Sequence, residues 1–104
     1  KDDCFKSRGI FISPIEIENA LRKHEGVTEA CVVGKFDKEI GKKICAFVVL
    51  RRKNRGTKKF ENELKNSLRN QIAHFKVPHT IEFLDELPKS PVGKVLRRKL
   101  AQLS

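Results

Sequence analysis

The chain has 104 residues and no tryptophan, tyrosine or methionine. Its seven phenylalanines are the only aromatics, and they lack the paired strand pattern of an RNA-stacking sheet. Three cysteines, Cys4, Cys31 and Cys45, form an odd set with no Cys-x-x-Cys pair, and His24, His74 and His79 show no ligand spacing. Neither a disulfide framework nor a metal site is read from them. Cys31 and Cys45 lie in apolar runs and are expected as buried reduced thiols, which points to a reducing, cytoplasmic setting. No apolar run approaches the roughly 20 residues of a membrane span, and no signal peptide is visible. A chain that begins Lys-Asp-Asp and has no methionine is expected to be a fragment of something larger.

Acidic residues are also in short supply. Lysine and arginine outnumber them 23 to 13, for a formal charge of +10. Such an excess points to a polyanion: nucleic acid, an anionic membrane surface or a phosphorylated cofactor. Much of it falls in two clusters, Arg51 to Lys59 and Lys94 to Lys99. The first reads as solvated surface. The length suits one small domain with a single core, without room for a deep, dry active site as well.

Local patterns give the element order. Cys4 to Ile12, with Arg8-Gly9 at its middle, reads as a short β-hairpin. Ser13-Pro14-Ile15-Glu16 opens a helix with a reciprocal cap between Ser13 and Glu16 and Pro14 at the first helical position. Ile17, Ala20 and Leu21 form its buried stripe, and His24 and Gly26 mark its end. Val27 to Val33 reads as a strand, Phe36 to Lys43 as a polar connection, and Ile44 to Leu50 as a central strand covered on both faces. A second helix starts near Thr57, with Phe60, Leu64, Leu68 and Ile72 on its core face, and ends before Pro78. Thr80 to Leu84 is the third strand. The expected fold is α+β: a small three-stranded mixed sheet with helices packed on it, an N-terminal β-hairpin and a C-terminal helix.

Between the third strand and that last helix lies Leu-Pro-Lys-Ser-Pro-Val-Gly-Lys, residues 87–94. Pro88, Pro91 and Gly93 forbid a continuous helix or central strand, so Lys94 is expected on an exposed turn. Apolar residues resume at once, with Val95, Leu96, Leu100 and Leu103 on one side of a helix.

Two motifs resemble the C-terminal domain of the adenylate-forming enzymes, which include acyl- and aryl-CoA synthetases, luciferases and peptide-synthetase adenylation domains. One runs from Asp2-Asp3 through Lys6 and Gly9 to Ile12-Ser13-Pro14 and Glu16-Ile17-Glu18. The other joins Phe75-Lys76-Val77-Pro78 to Leu87-Pro88-Lys89-Ser90, Gly93-Lys94 and Arg97. The resemblance covers the whole chain, residues 1–104, as a single lid domain, and implies a large N-terminal domain that holds ATP, Mg²⁺ and the acyl group. It implies ATP-dependent activation of a carboxylic acid to an acyl-adenylate, then transfer to a thiol, commonly that of CoA. The small domain closes in two orientations, one per half-reaction, and alone is expected to be inactive.

Residue by residue, the resemblance makes Lys94 the catalytic lysine of adenylation, with Gly93 and Pro88 shaping its loop and Asp2 the hinge. Gly9 and Arg8, with Phe75 and Lys76, fall on the CoA side. Gly9 reads equally as a plain turn glycine and Phe75 equally as core. Val77 and His79 stand where other ligases carry basic residues, and Lys76 is the available substitute. Residues 9–14 resemble aryl and benzoate-type ligases more than peptide-synthetase domains. Pro88 to Lys94 also resembles the pattern read by protein acetyltransferases, making Lys94 a candidate acetylation site and such an enzyme a partner. Two other readings stand: a lid serving a carrier-protein thiol, and a basic nucleic-acid-binding module, which the charge favours and the aromatics do not.

Overall fold

The computed structural model describes residues 3–103, apart from the side chain of Asn54. The chain opens with strands β1 (Phe5–Ser7) and β2 (Ile10–Ile12), paired antiparallel through Arg8-Gly9. Both turn residues have positive φ, 54° and 77°. A two-residue hairpin needs that backbone to match the right-handed twist of its strands. Helix α1 (Pro14–Arg22) follows, with Pro14 in its first turn. The cap expected between Ser13 and Glu16 does not form. The Glu16 carboxylate instead meets the Lys76 ammonium at 2.9 Å, and a full cation within reach outcompetes a neutral amide.

Strands β3 (Val27–Asp37), β4 (Gly41–Leu50) and β5 (Thr80–Phe83) form a sheet in the order β3-β4-β5. The first pair is antiparallel and the second parallel, so the sheet is mixed and the class α+β, as expected. A parallel neighbour demands a long crossover. Helix α2 (Lys58–Arg69) supplies it, starting where Thr57 accepts a hydrogen bond from the Phe60 amide.

Three expectations need correction. Phe36 to Lys43 is not a loose connection: β3 and β4 stay paired out to Asp37 opposite Gly41. The reversal is tight because Asp37 Oδ1 accepts from the Glu39 and Ile40 amides, which also holds the Asp37 carboxyl below its usual pKa. Ile72 lies beyond the end of α2 and packs on the core from the following turn. The last helix, α3, covers only Arg97–Ala101. Val95 is taken by a β-bridge to Lys89, and Leu103 remains exposed.

Two apolar layers sandwich β4. On one face Ile44, Ala46, Val48 and Leu50 meet Ile17 and Leu21 of α1 and Phe60, Leu64 and Leu68 of α2. On the other, Cys45, Phe47 and Val49 meet Leu87 and Leu100. The hairpin joins the first layer through Phe5 and Ile12. Gly34 admits it: a Cβ there would stand 2.7 Å from the Phe5 ring.

Candidate functional site

The Lys94 turn is built on Ser90. The Ser90 amide donates to the Lys94 carbonyl and the Gly93 amide to the Ser90 carbonyl, each at 2.8 Å. Ser90 Oγ accepts from the Lys94 amide at 3.2 Å. Pro88 closes the base, its carbonyl accepting from the Leu96 amide. Gly93 takes φ +85°, which side chains rarely adopt. Val92 at the tip is 89% exposed, Lys94 is exposed, and among the described residues no carboxylate pairs with its ammonium.

A second group gathers around the hairpin. The Arg8 amide donates to the Ile40 carbonyl and Ser7 Oγ to the Lys42 carbonyl, so the hairpin tip docks on the β3–β4 reversal. Arg8 holds a left-handed φ with a full side chain, a conformation costing about 1–2 kcal/mol outside glycine. A Cβ on Gly9 would meet nothing within 4 Å, so its backbone angle, not crowding, calls for glycine. Phe75 and Lys76 lie in a 3₁₀ turn, His74–Lys76. The Glu16–Lys76 pair sets that turn against the start of α1, next to the hairpin. Phe75 is 39% exposed, outside the core, with His74 edge-on to its ring. Lys76 is ion-paired, which lessens its availability to a ligand.

His79 belongs to this end of the sheet. Its Nδ1 accepts from the Ile44 amide at 3.0 Å. Burial and then the positive charge of Arg8 push its pKa below the ordinary value of 6.5.

The two groups sit at opposite ends of β3. Lys89, bridged to Val95, pairs with Glu29 near the start of the strand at 2.9 Å, whereas Arg8 bonds to Ile40, past its end. The eight steps of strand from Glu29 to Asp37 span about 26 Å at 3.3 Å each. From Val95 to Arg97 the chain runs toward the hairpin, because Arg97 reaches Val32, so the Lys94 turn projects the other way. Asp2, expected as the hinge, lies outside the described residues.

Sequence reasoning missed one pair. Glu18 is buried, and its carboxylate receives two hydrogen bonds from Arg97, at 2.6 and 3.1 Å. The signal was available. Glu18 sits between Pro14, Ile17 and Leu21 on the apolar stripe of α1, and a carboxylate there demands a cation. Beside it the Cys31 thiol is raised to about 11, chiefly by burial, and stays protonated at neutral pH. The first basic cluster lies apart: Arg51, Arg52 and Arg55 line an open cavity of about 600 Å³ with Phe60, and neither Lys94 nor Arg8 reaches it. Among the described residues no His, Cys, Asp and Glu gather to hold a metal, and no helix is long and apolar enough to cross a membrane.

This is a small α+β domain that exposes a lysine turn at one end and a cation-bearing hairpin at the other. Residues 16–94 match the family model of the AMP-binding enzyme C-terminal domain, and the chain belongs to that family. It is 44% identical over 99 residues to benzoate–CoA ligase of Thauera aromatica, covering 95% of this chain and 19% of that protein. It is 42% identical over 98 residues to a fatty acid–[acyl-carrier-protein] ligase of Streptomyces coeruleorubidus, covering 94% of this chain and 18% of that protein. The crystal structure of Brucella canis acyl-CoA synthetase superposes with a TM-score of 0.89 at 39% identity, over 95% of this chain and 18% of that one. The chain thus spans under a fifth of the length of each of these relatives.

The His79 environment makes stability depend on pH. Between the folded and unfolded pKa values the unfolded chain binds the extra proton, so stability falls as pH drops below about 6.5. Denaturant titrations from pH 7.5 to 5 should show this decline, and His79→Gln should flatten it. An unchanged slope in that variant would assign the effect elsewhere.

Proposed function

We propose that the chain is the mobile lid of an AMP-forming acid–thiol ligase and that Lys94 is its adenylation lysine. The observation that carries this is an exposed ammonium, with no carboxylate partner among the described residues, on a braced turn at the opposite end of β3 from the hairpin tip. One reaction centre cannot use both ends in one pose, so a domain serving two steps must turn over between them. Rotation about Asp2 supplies that movement, since hinges are a few terminal residues that absorb a torsion change.

In the first step a carboxylate oxygen attacks the α-phosphorus of ATP and the bond to pyrophosphate breaks. Two anions must approach while charge builds on the phosphoryl oxygens. A lysine ammonium is a compact charge that can face both. In the second step a thiol sulfur attacks the acyl carbon and AMP leaves. There the hairpin faces the centre: Gly9 leaves open space for a thiol arm, and Arg8 offers a cation to the CoA phosphates. Phe75 offers a partly exposed ring to the adenine, with the paired Lys76 beside it. ATP, Mg²⁺ and the acid are held mainly by the larger domain. A nucleic-acid module gains no support, because both faces of the sheet are covered and none is left for bases to stack on.

The likeness to a carrier-protein ligase favours a second reading, in which the thiol belongs to a carrier protein. Thioester formation with a pantetheinylated carrier but not with CoA would select it.

In the complete ligase, Lys94→Ala should slow pyrophosphate release about 100-fold. Thioester formation from supplied acyl-adenylate should stay within about threefold, and equal loss of both steps would contradict the assignment. Arg8→Asn keeps a residue that tolerates the left-handed turn but removes the cation. It should raise KM for CoA several-fold while leaving adenylation intact; an unchanged KM removes Arg8 from the CoA side. Lys94 is also open to a protein acetyltransferase, and acetylation would delete the charge adenylation uses. Peptide mass spectrometry after incubation with such an enzyme and acetyl-CoA should find the mark on Lys94, with adenylation lost in proportion; other lysines modified in its place would refute this.

A further inference from the structure

The guanidinium of Arg97 joins parts of the chain that are far apart in sequence. Nη1 and Nη2 hold the two oxygens of Glu18 on α1, at 2.6 and 3.1 Å. Nη1 also donates to the Val32 carbonyl on β3 at 2.9 Å. Nε faces Asp3 Oδ2 at 3.2 Å. Asp3 is the residue after the hinge position, and Arg97 is three residues after Lys94. The three steps from Lys94 to Arg97 span at most about 10 Å, and part of that stretch is tied down by the Val95–Lys89 bridge and the Leu96 amide on Pro88.

We infer that Arg97 is a positioning residue that ties the hinge end of the chain to the Lys94 turn, so that rotation about Asp2 places Lys94 without slack. This rests on the reading of Lys94 and Asp2 given above. Asp3 is 60% exposed, with little packing to hold it. Unclamped, the Lys94 turn would shift against the segment just past the hinge, and the lysine would arrive in a range of positions. The Glu18 and Val32 bonds fix the other side of the same planar group, so the clamp transmits orientation as well as position. The hydrogen bonds to Glu18 raise the pKa of Arg97 further above its already high ordinary value, so the guanidinium stays charged. A misplacement of about 1 Å at a reacting centre costs on the order of 100-fold in rate. Lysine cannot substitute, because a point charge does not fork to a carboxylate while holding a carbonyl and a second acid.

The test uses the complete ligase, with the half-reactions measured apart. Arg97→Lys should lower kcat for pyrophosphate release about tenfold or more, with KM for ATP unchanged. Thioester formation from supplied acyl-adenylate, which does not use Lys94, should stay within about threefold. Adenylation at the parental rate, or both steps falling together, overturns the inference. If Arg97→Lys does not fold, Asp3→Asn decides: it leaves the Glu18 pair intact and removes the hinge-side arm of the clamp. Slower adenylation at an unchanged melting temperature supports the clamp, and unchanged adenylation rejects it. Lys94→Ala run in parallel separates the two ideas, since normal adenylation in that variant refutes the underlying reading whatever Arg97 does.

Discussion

Strand β4 has no polar side chain from Ile44 to Leu50, and all seven residues are buried. Such a strand is stable only with an apolar layer on each side. Two amphipathic helices cover one face, an arrangement many small folds share. The other face receives no full helix. It is closed by the stretch from Leu87 to Ala101, pinned by Leu87 and Leu100. That stretch has to leave the sheet, turn and come back, and Lys94 sits in the turn. The exposure of the lysine is therefore a consequence of how the second face is covered. The buried feet on either side hold the turn, so a chain segment rich in proline and glycine behaves as a stiff bracket.

A buried ion pair beside that bracket needs a reason other than stability. Removing two charges from water costs several kcal/mol per ion, and well-packed apolar residues often serve a core as well or better. Leucine at position 18 would complete the stripe of α1. What an apolar contact cannot do is fix an angle. A guanidinium held at two carboxylate oxygens and a carbonyl has one orientation, and its remaining nitrogen then points to Asp3. The cost is borne where Asp3, ahead of β1, meets the segment that follows the Lys94 turn.

The legible parts of the chain were those where one local rule acts alone. The continuous apolar run of β4, the four-residue spacing of Phe60, Leu64 and Leu68, and the breakers around Lys94 each led to the right element. The rest was settled by neighbours distant in sequence. Residues 36–43 are polar because that part of the hairpin runs beyond the core, and backbone pairing continues there without apolar side chains to advertise it. Ser13 and Glu16 fit a capping pattern, yet Lys76, 60 positions away, takes the carboxylate. The terminal helix is short because Val95 bridges to Lys89 first. In the candidate site, Lys94, Gly93 and Gly9 stood out because a turn constrains its own residues. Arg97 was hidden among four cations in six residues, and only its partner Glu18, an acid on an apolar stripe, marked it.

The separation of the lysine turn from the hairpin also bears on how so small a body would serve the two steps proposed above. A rigid domain with one reactive end delivers one chemistry. With a second end at the far side of β3 it can deliver two, provided neither disturbs the other. Adenylation needs a positive charge at the reacting phosphorus. Thioester formation needs space for a slender arm and cations for its phosphates, and a lysine left in place would compete for that space. In the proposed reading, rotation would remove one end as it brings the other, so the steps would be kept apart by geometry. On that reading the domain itself can be stiff, and the two-layer packing of β4 with the Arg97 bonds to Glu18 and Val32 supplies that stiffness.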